Sequence, residues 1–199
     1  MSKRLYVAYG SNLNIEQMTN RCPGAKLYGT GVIENFELQF KGKALGAFAT
    51  IAPKDSASVP VAVWEISKQN EQALDRYEGY PSHYFKQDVL VQLDGSEVTA
   101  MVYIMNLKMD FGLPSSYYYD IVREGYEDCG LDTAVLGQAL RESTRQFYCS
   151  HRPHQESFFR FENDAEPDED EQKENDDSEL DEDEQDETDP FYFSGEMYL

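Results

Sequence analysis

The 199-residue sequence has no apolar run long enough to cross a bilayer, which takes about 18 or more consecutive residues in a helix. Its opening, MSKRLYV, carries two basic side chains but too short an apolar stretch for a secretory leader, so a soluble, cytoplasmic chain is expected. Cysteine is scarce: Cys22, Cys129 and Cys149 are odd in number and scattered. This excludes a disulfide framework and fits free thiols in a reducing compartment. Basic residues are few as well, 17 Lys and Arg against 38 Asp and Glu, and they form no stripe. Nucleic acid and anionic membrane surfaces are therefore poor partners, because phosphate recognition needs clustered cations. Neither a nucleotide-binding glycine loop nor a Gly-x-Ser-x-Gly elbow occurs, so dinucleotide and serine-hydrolase readings fall. Cys149, His151 and His154 are close in sequence but have no fourth ligand at a characteristic spacing, and no metal is expected.

What the chain has in excess is acid, and the excess is local. Residues 162–189 hold 18 Asp or Glu and one Lys, a net of −17 that leaves only −4 of the total −21 for the rest. Such a stretch cannot bury enough apolar surface to offset its ordering entropy. The expected organisation is a single folded domain over 1–160 and an acidic, disordered tail over 161–199. The tail ends in the aromatic segment DPFYFSGEMYL, a candidate docking sequence for a protein partner.

Within 1–160, apolar patterning predicts strands at 4–9, 27–40, 47–52, 59–66, 84–93 and 97–106. Asp94-Gly95 joins the last two as a hairpin turn. A short helix follows Asn12 or Asn14 and stops at Pro23-Gly24, and longer ones are expected at 68–78, 115–128 and 132–148. Ser67 and Asp132 can cap two of these, and Ala73, Leu74 and Tyr77 form the apolar face of the first. Val59, Val61 and Val63 alternate with Ala62, Trp64 and Ile66, the pattern of a strand covered on both faces. Mixed strands and helices make an α+β domain, built as a curled sheet or a small barrel.

Three stretches could carry chemistry. In YVAYGSN, residues 6–12, a strand ends at Gly10, Ser11 and Asn12. Such a turn can be a plain helix cap, or its backbone N–H groups can cradle an anion. In LDRYEGYPSHY, residues 74–84, Glu78 falls in the last helical turn, where the dipole disfavours a carboxylate and raises its pKa. With Tyr77, Tyr80 and Tyr84 around it, Glu78 reads either as a surface acid or as a proton-transfer group. In LPSSYYYDIV, residues 113–122, Tyr118 shares a face with Ile121 and Val122 and points inward, into core or pocket.

Taken in order, YVAYGSNLN with RCP, then ATIAP, VPVAVWEIS, LDRYEGYP and PSSYYYDIVREGYEDCGL resemble the gamma-glutamylcyclotransferase (AIG2-like) family over about residues 4–148. The resemblance implies a mixed β-barrel flanked by helices, one cavity, no cofactor and a small gamma-glutamyl substrate. It implies conversion of a gamma-glutamyl amide to 5-oxoproline and a free amine. Glu78 would match the catalytic glutamate. Tyr6, Val7, Ala8, Tyr9, Gly10, Ser11 and Asn12 would match the loop holding the glutamyl group, with Tyr84 and Tyr118 lining the same cavity. The rival expectation is a catalytically silent module of this fold that uses its acidic tail to bind a basic partner.

Overall fold

Lys3–Ala8 (β1) runs out of the barrel into a single 3-10 turn, Ser11–Leu13, and then a short helix, Ile15–Arg21 (α1). The computed structural model describes residues 3–151, and the expected acidic tail over 161–199, its aromatic end and the boundary at residue 160 lie outside them. After α1 come Lys26–Lys41 (β2), Phe48–Ser67 (β3), Lys68–Tyr77 (α2), Tyr84–Leu93 (β4), Ser96–Met105 (β5), Ser116–Asp128 (α3) and Thr133–Ser150 (α4). The strands close into a barrel in the order β1-β3-β2-β4-β5. All neighbours are antiparallel except β1 and β5, which meet in parallel through Tyr6↔Met101 and Val7↔Val102 and make the barrel mixed. Among the described residues no helix is long and apolar enough to span a membrane.

The strands expected separately at 47–52 and 59–66 are one strand, β3. Its middle, PKDSAS, reads as a loop because Pro, Asp and Ser dominate it. The chain instead bulges there while staying paired with β2. The register jumps from Glu34↔Ser58 to Phe36↔Pro53, and Asn35 and Ser56, both at φ of 60°, face each other across the kink. The Ser56 N–H donates to Asn35 Oδ1 at 3.2 Å, replacing the ladder bond that the bulge removes.

The two-faced apolar pattern of 59–66 corresponds to burial on both sides. Val59, Val61, Val63, Ala62 and Ile66 are all at most 1% exposed, and Trp64 is 5% exposed. Helix α4 packs on β2, and the Ser143 hydroxyl on its buried face accepts the Phe40 N–H at 2.9 Å. While Tyr118 and Tyr119 reach Phe48 and Phe40 on the sheet, helix α3 packs its backbone on the 3-10 turn. That contact needs Gly125, since a Cβ there would lie 2.5 Å from the Asn14 nitrogen and 2.7 Å from Leu13 Cβ.

Capping decides which polar side chains remain free for other work. Asn14, not Asn12, caps α1 by accepting the Gln17 N–H at 3.0 Å. Ser67 and Asn70 form a reciprocal capping box on α2, Ser115 caps α3 and Asp132 caps α4. Asn12 is thereby released from local structure, although it is only 4% exposed.

Candidate active site

At one end of the barrel is a cleft of about 310 Å³, measured with the solvent at its mouth. Tyr6 from β1, the Tyr9–Asn12 turn, Ala49 from β3, Glu78 after α2, Tyr84 from β4, Tyr103 from β5 and Tyr118 from α3 line it. Segments far apart in sequence therefore converge on one carboxylate and a wall of phenols. Of the residues 6–12 expected here, Val7 and Ala8 are not among the lining residues. Their side chains are each 1% exposed in the core, where β1 pairs with Val63 and Ala62.

Glu78 sits just beyond the last turn of α2, its N–H bonded to the Leu74 carbonyl at 2.8 Å. Its carboxylate Oε1 accepts from Asn12 Nδ2 at 3.0 Å, and the same amide nitrogen donates to the Tyr6 hydroxyl at 2.8 Å. Burial pushes the Glu78 carboxyl up to about 7, against a smaller downward pull from the Arg21 charge and the Asn12 hydrogen bond. Burial is thus a sufficient cause for the raised value that helix position alone led one to expect.

The phenols behave differently. Burial raises Tyr6, Tyr9, Tyr84, Tyr103 and Tyr118 well above an ordinary tyrosine, and the nearby Glu78 charge adds to the rise in each. They stay protonated at neutral pH and serve as hydrogen-bonding groups, not bases. Several are fixed in place: Tyr9 donates to the Tyr103 carbonyl at 2.6 Å and Tyr84 to the Ala49 carbonyl at 3.1 Å. Tyr103 donates to Asp75 Oδ1 at 2.6 Å, and Tyr118 accepts the Ala49 N–H at 3.1 Å. Accepting that bond leaves the Tyr118 hydroxyl proton available to a ligand.

The Gly10 position is set by space. Its φ is −118°, but a Cβ would come within 3.3 Å of both Ala49 Cβ and the Tyr118 hydroxyl. In the turn that follows, Leu13 N–H bonds the Gly10 carbonyl and Asn14 N–H the Ser11 carbonyl. The amides of Ser11 and Asn12, ahead of those bonds, have no partner among the described residues.

Two tyrosines expected around Glu78 are not among the residues that line the cleft. Tyr80 is 42% exposed with the Lys86 ammonium 4.7 Å from its ring centroid, outside the cleft. Tyr77, expected on the apolar face of α2, is 48% exposed, and its hydroxyl lies 3.2 Å from Ser11 Oγ. The ring is held at the surface by the Arg21 guanidinium 3.8 Å from its centroid, so a cation replaces the core as its packing partner. Sequence reasoning missed Ala49, Tyr103 and Arg21. Tyr103 carried one signal, a hydroxyl in the middle of the otherwise apolar strand AMVYIM. Among the described residues no three His, Cys, Asp or Glu side chains converge as a metal site.

A sequence model of the family described as gamma-glutamyl cyclotransferase, AIG2-like, matches residues 6–121, which includes every residue lining the cleft. Proteins named gamma-glutamylcyclotransferase from Bos taurus and Homo sapiens are each 34% identical to this chain over 136 residues, covering 64% of it and 72% of their own length. A solved structure of a gamma-glutamyl cyclotransferase matches the fold with a TM-score of 0.63 at 29% identity, over 69% of this chain and 86% of that one.

Proposed function

Because the chain belongs to the gamma-glutamyl cyclotransferase, AIG2-like family, we propose that it cyclises a gamma-glutamyl amide to 5-oxoproline and releases the amine, with Glu78 as general base and then general acid. One observation supports the reading: Asn12, in a turn whose Ser11 and Asn12 amides have no partner among the described residues, hydrogen-bonds Glu78, so that N–H donors suited to an anion and a proton carrier adjoin one cleft.

The reaction needs little else. The substrate's own α-amine attacks its γ-carbonyl carbon and closes a five-membered ring, so the nucleophile is already tethered and the entropy of bringing reactants together is small. The amine must first lose a proton from its ammonium form. Glu78, with its carboxyl near 7, is ionised in a large fraction of molecules at neutral pH and can take that proton. The C–N bond to the leaving amine then breaks as Glu78 returns a proton to that nitrogen, while the ring nitrogen gives up its second proton to solvent and is left as the lactam N–H. General acid–base assistance of this kind is worth ~10²–10⁴-fold.

Charge in the substrate has matching partners. The Ser11 and Asn12 amides can take the α-carboxylate or the oxyanion that forms on the γ-carbonyl, and one oxyanion donor contributes ~10²–10³ in rate. The Tyr118 hydroxyl can donate to the other. Among the described residues lining the cleft Glu78 is the one carboxylate, which suits an anionic substrate.

The direct test is incubation of the full chain with a panel of gamma-glutamyl amines and amino acids, reading 5-oxoproline. Release from at least one compound, lost in Glu78→Gln, is the expected result. Silence of well-folded protein across the whole panel would return the chain to a binding module of the same fold.

A further inference from the structure

Arg21 ends α1 outside the ring of residues that line the cleft, yet its bonds run toward the centre of the site. One terminal nitrogen donates to Asn12 Oδ1 at 2.7 Å and to Ser11 Oγ at 3.2 Å, and the other donates to Gln17 Oε1 at 2.5 Å. The guanidinium plane also covers the Tyr77 ring, whose hydroxyl returns to Ser11. Three of the five guanidinium N–H groups are thus engaged by the protein.

We infer that Arg21 is a positioning residue: by occupying the amide oxygen of Asn12 it forces the amide nitrogen toward Glu78 and Tyr6. The effect on turnover rests on the cyclotransferase reading, whereas the positioning itself does not.

The argument turns on the symmetry of an amide. The two ends of an Asn side chain have nearly the same shape, so only their partners fix which end faces which way. At Asn12 one end meets a carboxylate and a phenol, and the other meets a guanidinium. Turned over, the amide would set its oxygen against the Glu78 carboxylate and its nitrogen against the Arg21 cation, two unfavourable contacts in a buried place. Remove the cation and one of those two penalties disappears. Asn12 is then oriented by Glu78 and Tyr6 alone and turns over more readily, which weakens the hydrogen bond that Glu78 receives.

A second consequence concerns ionisation. The other titratable groups around Glu78 are Tyr6 and Tyr9 at the end of β1, Tyr84 on β4, Tyr103 on β5 and Tyr118 on α3, all held protonated by burial, with Tyr77 beside them at the rim. None supplies positive charge. Arg21 and Asn12 are the two groups that draw the Glu78 carboxyl down against burial, and both depend on the same guanidinium.

The test follows the Glu78 carboxyl by carbon NMR titration of full-length protein, alongside the pH profile of kcat/KM, in wild type, Arg21→Met and Arg21→Lys. In Arg21→Met, Glu78 is expected to titrate roughly one pH unit higher, with kcat/KM near neutrality down about tenfold and most of the loss in kcat. Arg21→Lys restores charge but has no planar fork to hold Asn12, Ser11 and Gln17 together, so recovery is expected to be partial. Unchanged titration in Arg21→Met overturns the inference, as does full recovery in Arg21→Lys, which would make charge alone sufficient. Should Arg21→Met fail to fold, the Arg21→Lys titration decides by the same criterion. The NMR readout needs no turnover: a shifted Glu78 in a chain silent on every gamma-glutamyl compound would sink the catalytic reading and leave the role of Arg21 standing.

Discussion

Glu78→Gln separates what Glu78 does for chemistry from what it does to stability. Glutamine keeps the shape of the side chain and can still accept the Asn12 amide bond through Oε1. It carries no titrating proton, so 5-oxoproline release should fall by ~10²–10⁴-fold with little change in KM. Stability should move the other way. An ordinary glutamate titrates near 4.5, and Glu78 in the folded chain near 7. Between those values the folded protein still holds a proton that the unfolded chain has released, so its stability falls as pH rises through that window. The full difference amounts to about 3 kcal/mol, complete above the folded value and absent below the unfolded one. Glu78→Gln escapes this penalty. Urea unfolding at about pH 4 and about pH 8 should show near-equal stability at the lower pH and a glutamine variant up to about 3 kcal/mol more stable at the higher. A glutamine variant less stable than wild type at the higher pH, or a difference that does not change with pH, would refute a buried carboxyl destabilised by its surroundings. Undiminished turnover would refute its part in proton transfer.

Four further substitutions probe the frame around it. Tyr118→Phe strips the acceptor from the Ala49 N–H and a hydroxyl from the cleft; the expected cost is about 1–2 kcal/mol by urea unfolding and roughly tenfold in kcat/KM. Gly125→Ala forces a methyl into the Leu13 and Asn14 backbone, so it should destabilise by about 1–3 kcal/mol and, by displacing the Ser11–Leu13 turn, lower kcat/KM even where the protein remains folded. Gly137→Ala on α4 is its control: the nearest atom is the flexible Arg141 guanidinium at 3.3 Å, and the variant should be neutral or up to about 1 kcal/mol more stable with unchanged kinetics. Ser143→Ala leaves the buried Phe40 N–H unpaired and should cost about 1–3 kcal/mol in denaturant with a much smaller effect on kcat/KM, since neither Ser143 nor Phe40 lines the cleft.

Local chemistry made much of this fold readable. Asp132, Ser67 and the Asp94-Gly95 turn act where their residue types place them, and the alternation of 59–66 anticipates a strand buried on both faces. Reading failed where a partner far along the chain decides the outcome. The PKDSAS stretch has turn composition, but Asn35 on the facing strand carries a matching kink that keeps both halves of β3 in one hairpin. Tyr77 has an apolar body at a helical spacing that favours the core, and only the arrival of Arg21 from α1 holds it at the surface. Within YVAYGSN the lining set could not be narrowed: Tyr6, Val7 and Ala8 are all paired with neighbouring strands, and Tyr6 alone of the three lines the cleft while Val7 and Ala8 stay in the core. Tyr103 joins the cleft because β5 pairs with β1 in parallel, a closure that no local pattern encodes.

The same closure explains how one site can hold groups of opposite habit. A barrel end walled by tyrosines buries its carboxylate without being apolar, since each phenol keeps a hydrogen-bond partner or a proton to offer. Burial drives the phenols and the carboxylate in the same direction, toward the neutral form. Starting values then separate them: a tyrosine pushed up from 10 is locked protonated, whereas a glutamate pushed up from 4.5 stops at about 7, where it exchanges protons readily. Deeper burial without compensation would lock Glu78 as well. Asn12, oriented by the bond Arg21 makes to its oxygen, opposes that outcome together with the arginine's charge, so a short helix outside the cleft limits how far burial raises the pH at which Glu78 changes charge.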